Sequence, residues 1–177
     1  MKILMIFAAI GGCTLLSGCS VAPLNFSPAN VSASSTRHNA ALVSTNVTVA
    51  SGEEATGKLN TAGAEADVAS LWKSTLDDAL IRMAMFRDES PNKLSLIVQI
   101  RELDLRSLGF DARTTARYQL LDRNTGKTVF STDIQTNGHA SDYVGVDRTR
   151  KSASRSVQAN IEEFLRQIQA AELRFAP

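Results

Sequence analysis

The sequence predicts an α+β fold: an antiparallel sheet of about four strands in β-α-β-β-β-α order, with two helices packed on one face. Three observations predict it. Apolar residues recur at spacings of three and four between Ala64 and Phe86. They alternate with polar residues through three runs between Leu94 and Thr136, and the helical spacing returns from about Asp147 to Leu173. Periods of 3.6 and 2 mark a helix and a strand that each bury one face. Two amphipathic helices on the same side of one sheet enclose a single core.

The elements follow in order. Leu42 to Val49 is dense in β-branched residues and alternates at Val47 and Val49, which predicts a first strand. Gly52, Gly57, Asn60 and Gly63 punctuate a loop from Ser51 to Gly63. Val68, Leu71, Trp72, Leu76, Ala79, Leu80 and Met83 form the apolar stripe of the first helix, opposite Lys73, Asp77, Asp78 and Arg82. Trp72 lies on that stripe and reads as core. Asp88-Glu89-Ser90-Pro91-Asn92 ends the helical stretch, because proline disfavours helix in the residue before it.

Leu94, Leu96, Val98 and Ile100 alternate along a second strand that runs towards Leu105. A turn around Ser107 to Asp111 leads to a third, where Thr114, Ala116, Tyr118 and Leu120 share a face. Asp122 to Lys127 reads as a tight hairpin turn with Gly126 free to take positive φ. The fourth strand, Thr128 to Thr136, alternates through Phe130 and Ile134. After a loop from Gly138 to Val146 comes the final helix, with Ala153, Val157, Ile161, Phe164, Leu165 and Ile168 as its buried stripe. Arg148, Arg150, Lys151 and Arg155 crowd its first turns, where the helix dipole favours acids. That misplacement marks them as a candidate contact cluster.

The N-terminus carries a different message. Lys2 and the apolar run Ile3 to Leu16 have the length and charge of a secretory signal, shorter than the roughly 20 apolar residues of a membrane-spanning helix. Leu16-Ser17-Gly18-Cys19 then resembles the lipobox of bacterial lipoproteins. Small residues at Ser17 and Gly18 admit a peptidase to the bond before Cys19, whose thiol accepts a diacylglyceryl group. The organisation expected is a signal peptide over 1–18, a lipidated cysteine with a flexible tether over 19–37, and one α+β domain over 38–177. Residues 20–37, rich in Ser, Ala, Asn and Pro, have no apolar periodicity. Such a chain holds a domain off a membrane by about 5–6 Å × √n. His38 reads as a solvated linker histidine at its end. Acyl chains contribute roughly 0.8 kcal/mol per buried CH₂, so two or three on Cys19 hold the protein durably. By resemblance, Ser20 as the second mature residue, where inner-membrane retention uses Asp, implies the outer membrane.

Processing sharpens the composition. Of 19 basic and 18 acidic residues, Lys2 leaves with the signal, so the mature chain has 18 of each. A net charge near zero gives a nucleic-acid partner no electrostatic support. Cys13 departs with the signal and Cys19 is acylated, which removes disulfides, Cys metal sites and Cys nucleophiles from the domain.

Catalytic motifs are missing: there is no Gly-x-Ser-x-Gly elbow, His-Glu-x-x-His, phosphate loop or paired Cys. His139-Ala140-Ser141-Asp142-Tyr143 gathers His, Ser and Asp in one loop. A nucleophile, base and orienting carboxylate must converge in space, which neighbours in a short loop rarely do. The loop reads as a polar sheet-to-helix connection. No metal site, no cofactor and no enzyme activity are expected.

Two stretches carry a family resemblance. Leu71 to Leu80 preceding the hairpin Ala116–Asp122 to Lys127–Phe130 resembles the ABC-transport auxiliary lipoproteins and related small proteobacterial lipoproteins. Tyr143 to Arg148 leading to Asn160–Leu165 is similar to outer-membrane lipoproteins, some labelled UDP-N-acetylglucosamine acyltransferase. That enzyme class resembles a helix of hexapeptide repeats, absent here, and a His-x₄-Asp box from His139 meets Val144 instead of Asp. The resemblance therefore implies a lipid-anchored binding or assembly accessory facing the periplasm, with an envelope protein as partner and the membrane held through Cys19. A lipid-handling module with an apolar cavity is the alternative expected, and an envelope enzyme a third.

Overall fold

The computed structural model describes residues 22–175; the expected signal segment, with Leu16, Ser17 and Gly18, and the expected lipidation residue Cys19 lie outside them. The chain forms β1 (Ala41–Val49), β2 (Leu59–Asn60), α1 (Glu65–Met83), β3 (Lys93–Asp104), β4 (Asp111–Asp122), β5 (Thr128–His139) and α2 (Gly145–Ala170). Two helices pack against one sheet of order β1-β3-β4-β5, with the short β2 beside the end of β3. The α+β class and the helix and main-strand order agree with the sequence reading.

The sheet is mixed, where a wholly antiparallel one was expected. β3, β4 and β5 form the antiparallel meander, but β1 and β2 pair with β3 in parallel. The reason is the crossover. A helix between two adjacent strands carries the chain back to the end where it began, so the next strand must run the same way.

The periodicity placed the core well. Leu94, Leu96, Val98 and Ile100 are fully buried on β3, facing Trp72 and Leu76 of α1 and Val157, Ile161 and Phe164 of α2 in one cluster. On β4, Tyr118 stacks on Phe164 with ring centroids 4.2 Å apart. The hairpin turn forms as read, with Gly126 at φ 70° and the Asp122 carboxylate accepting the Asn124 N–H at 2.8 Å and the Thr125 hydroxyl at 2.9 Å. Those donors, Asn124 foremost, hold the Asp122 carboxyl below its ordinary pKa. α1 stops at Met83, before Phe86, because Ala84 turns left-handed at φ 49° and its N–H closes on the Leu80 and Ile81 carbonyls.

The expected flexible tether is the largest correction. From Ala22 to His38 the chain is packed across both helices. Phe26 is wholly buried, its ring edge-on to Trp72 at 5.9 Å, and Leu24 and Val31 pack on the same core. The backbone is satisfied by α2 side chains: Asn25 N–H donates to Ser154 Oγ (3.1 Å), Ala29 N–H to Glu162 Oε1 (3.0 Å), and Gln158 Nε2 to Asn25 O (2.9 Å). Further on, Ser34 N–H reaches Met83 O at 2.8 Å. Low charge and a few spaced apolar residues are enough for a strap that borrows its polar partners from a helix. His38, read as solvated, is buried; its Nε2–H donates to Ile168 O at 2.9 Å, and burial lowers its pKa.

Candidate functional site

Two surface regions stand out once the fold is assembled. The first is the end of the domain where the strap begins. Here the β3–β4 turn (105–110) and the β5–α2 loop (140–144) meet the first turns of α2. Arg148 joins them: its guanidinium donates to Leu108 O at 2.6 Å and to Asp142 O at 3.1 Å, and lies 4.1 Å from the centre of the Phe110 ring. The Thr149 hydroxyl donates to Ser107 O. Leu108, Phe110, Tyr143, Val144 and Val146 nevertheless project outward, Tyr143 with its side chain completely exposed.

The four cations singled out as a contact cluster are all engaged inside the molecule. Besides Arg148, Arg150 Nε donates to Ala22 O at 2.6 Å, Lys151 pairs with Asp142, and Arg155 donates to His139 O. The Lys151 ammonium is the chief cause holding the Asp142 carboxyl below its ordinary pKa. Their crowding at the positive end of a helix is thus offset by carbonyls and a carboxylate, with Asp147 adding an acid in the first turn. They clamp loops and strap to α2, a role that no pattern within the helix itself encodes.

The loop His139 to Tyr143 does not assemble a triad. His139 Nδ1 lies 2.8 Å from Asp111 Oδ1 on β4, and both side chains are mostly exposed, while Asp142 is taken by Lys151. Among the described residues no group of three or more His, Cys, Asp or Glu is placed to hold a metal ion.

The second region is a half-open groove of about 430 Å³ between edge strand β1 and α1. Leu42, Val43, Leu80, Ile81 and Phe86 give it an apolar floor and rim, and the Lys73–Asp77 pair (2.5 Å) borders it. Val43 is the extra residue of a bulge between Leu42 and Ser44, which releases it from the ladder. Sequence alternation could not find this groove, because it depends on β1 lying at the sheet edge beside α1. A second groove, about 450 Å³, opens between Pro23, Leu24, Ala62, Val68, Leu71 and Arg150. Both lie at the surface; the space between sheet and helices is filled by Trp72, Tyr118, Phe164 and their neighbours.

No family model matches the chain, and no curated protein sequence is significantly similar to it. The fold itself has solved counterparts. Protein XCC0632 from Xanthomonas campestris, of family DUF330, matches with a TM-score of 0.57 at 11% identity, over 85% of this chain and 94% of that one. PelC from Paraburkholderia phytofirmans, a dodecamer, gives 0.48 at 14% identity over 80% and 96% of the two chains. A minor lipoprotein from Acinetobacter baumannii gives 0.44 at 13% identity over 75% and 97%. The chain therefore shares the fold of the Xanthomonas protein, and at 11% identity the likeness is one of fold alone. No helix among the described residues is long and apolar enough to cross a membrane.

Proposed function

We propose that the chain is a lipoprotein of the bacterial outer membrane, anchored through acylated Cys19, whose domain faces the periplasm and acts by binding an envelope protein. The signal run and Leu16-Ser17-Gly18-Cys19 support the anchor, and Ser20 supports the outer membrane. One observation carries the binding half: the apolar groove along edge strand β1, with Val43 half exposed and Ile81 three-quarters exposed beside it. An edge strand offers unpaired backbone groups to an extended segment, and flanking pockets select its side chains. The resemblance to ABC-transport auxiliary lipoproteins agrees with such an accessory role.

The competing readings have less behind them. Lipid handling calls for an apolar chamber between sheet and helices, where aromatic side chains already stand. Catalysis at His139 would need a nucleophile beside the imidazole, and its partner there is Asp111.

Photo-crosslinkers placed at Val43 and Ile81 in intact cells test the groove, with Gln99 on the opposite face of the sheet as control. One discrete adduct from the groove positions is expected; none from either position, with the protein folded and membrane-bound, refutes the binding reading. Cys19→Ala tests the anchor: the chain should leave the membrane fraction and lose incorporation of labelled fatty acid.

A further inference from the structure

The strap fixes where the anchor leaves the domain. Ala22 N–H donates to Asp147 Oδ1 at 2.9 Å, and Ala22 O accepts from Arg150. Cys19 is only three residues upstream. A fully extended chain covers at most about 3.6 Å per residue, so Cys19 can lie no further than roughly 11 Å from Ala22, which is tied to the first turn of α2. A reach of a few tens of Å, the expectation for a free tether, is no longer available.

The surface at that end is unusual in composition. Of the seven large apolar side chains exposed among the described residues, five stand there: Leu108, Phe110, Tyr143, Val144 and Val146. Val144 and Val146 flank the helix start within three residues of Asp147, and the Leu108 side chain packs beside Gly145. Apolar side chains gathered at one end of a domain mark a surface that meets another apolar phase or partner. Acyl chains on Cys19 bring a bilayer to this patch before any other partner can reach it. The chemistry fits: aliphatic side chains enter the acyl boundary, Tyr143 suits the headgroup level, and exposed Arg106 on the same turn can meet lipid phosphate.

We infer that the β3–β4 turn and the β5–α2 loop form a membrane-seating tip, so that the domain stands on the lipid surface with α2 N-terminus down and the β4–β5 hairpin away from it. The inference rests on acylation of Cys19. The occupant is the lipid surface itself, chosen over a protein by the short chain between Ala22 and the anchor. Seated this way, the β1–α1 groove runs up the side of the domain, accessible from the periplasm.

The acylated protein is its own test material, because the mature chain has no cysteine besides Cys19. Leu108→Cys and Val144→Cys, each labelled with an environment-sensitive fluorophore, are compared with Arg123→Cys at the hairpin, all reconstituted in phospholipid vesicles. The expected result is blue-shifted emission and quenching by lipid-borne nitroxide at 108 and 144, with neither at 123. Probes at 108 and 144 as wet as at 123 on an acylated, vesicle-bound chain overturn the seating. If they are wet in vesicles and shielded only in native envelopes, the patch belongs to a protein and the inference is equally overturned. Acylation is read separately from the mass of the mature chain, and an unmodified mass refutes the anchor and the seating that depends on it.

Discussion

The Tyr118 hydroxyl donates to Asn160 Oδ1 at 2.8 Å, and both side chains are wholly buried between β4 and α2. Asn160 Nδ2 continues the link to Ile134 O at 2.9 Å, and the Ser156 and Thr136 hydroxyls each donate to the other's backbone carbonyl. The Trp72 indole N–H faces the same phenol but falls short of a well-formed hydrogen bond. Burial raises the Tyr118 pKa above its ordinary value, so the phenol is a neutral donor around neutral pH. A polar link of this kind fixes the rotation of α2 on the sheet, since a slip of the helix would strand several buried polar groups at once.

Removing one partner exposes that dependence. Asn160→Ala should cost about 2–3 kcal/mol, because it leaves the Tyr118 hydroxyl and a strand carbonyl unpaired in the core. Tyr118→Phe should cost less, about 1–2 kcal/mol, since only Asn160 Oδ1 loses its donor. The double variant should cost clearly less than the sum. Chemical denaturation of the four proteins measures the coupling, and strict additivity would mean the hydroxyl–amide bond contributes nothing.

Gly138 sits where the backbones of β5 and α2 approach closely. A Cβ there would overlap the backbone of Ser152 and Ser156, which unlike a flexible side chain cannot step aside. Gly138→Ala should therefore destabilise by about 2–3 kcal/mol, at the upper end of overpacking costs. Gly52→Ala, where added Cβ meets open space, is the control and should leave the melting temperature nearly unchanged.

Phe26 decides between a strap and a free linker. Deleting a fully buried ring costs about 3–5 kcal/mol, whereas deleting one from a solvated segment costs almost nothing. Phe26→Ala should lower stability by about 3 kcal/mol and leave Trp72 emission red-shifted as water reaches the indole edge. Unchanged stability and emission would restore the linker.

These residues also show how far the sequence could be read. The meander and both helical stripes were legible because each is a periodic pattern recorded within one element: the whole of Ala153, Val157, Ile161, Phe164, Leu165 and Ile168 is buried. Relations between distant elements were not legible. Ser156 and Asn160 fall outside the apolar stripe of α2, yet both are buried, because their partners Thr136 and Tyr118 lie elsewhere in the chain. Phe26 lies in the segment read as a tether for the same reason: the residues it packs on are far away in the chain. The direction of β1 was partly available, since a helix before the next strand implies a parallel return. The basic cluster was visible, but its use depended on carbonyls of the strap and loops.

His38 gives the fold an acid-sensitive joint. Its imidazole is buried beside Phe86, with Nε2–H held by Ile168 O near the end of α2, and desolvation outweighs that hydrogen bond to lower its pKa below 6.5. A group that binds its proton less readily when folded makes the unfolded state the proton acceptor. Stability is therefore complete above about 6.5 and falls as pH drops from there to the folded pKa, below which both states are protonated and the slope vanishes. The carboxylates act in a separate, lower window. Glu163, brought down to about 2 chiefly by Arg166, and Asp133, lowered chiefly by Arg117, contribute in full above ordinary carboxylate values and lose that contribution as pH falls from there towards their folded pKa. Denaturation midpoints between pH 7.5 and 5 (a span of about 2.5 units around the histidine range) should thus decline in the wild type. In His38→Gln, which keeps an amide donor without a titratable ring, they should stay flat over the same span. Parallel declines in the two proteins would place the acid sensitivity elsewhere.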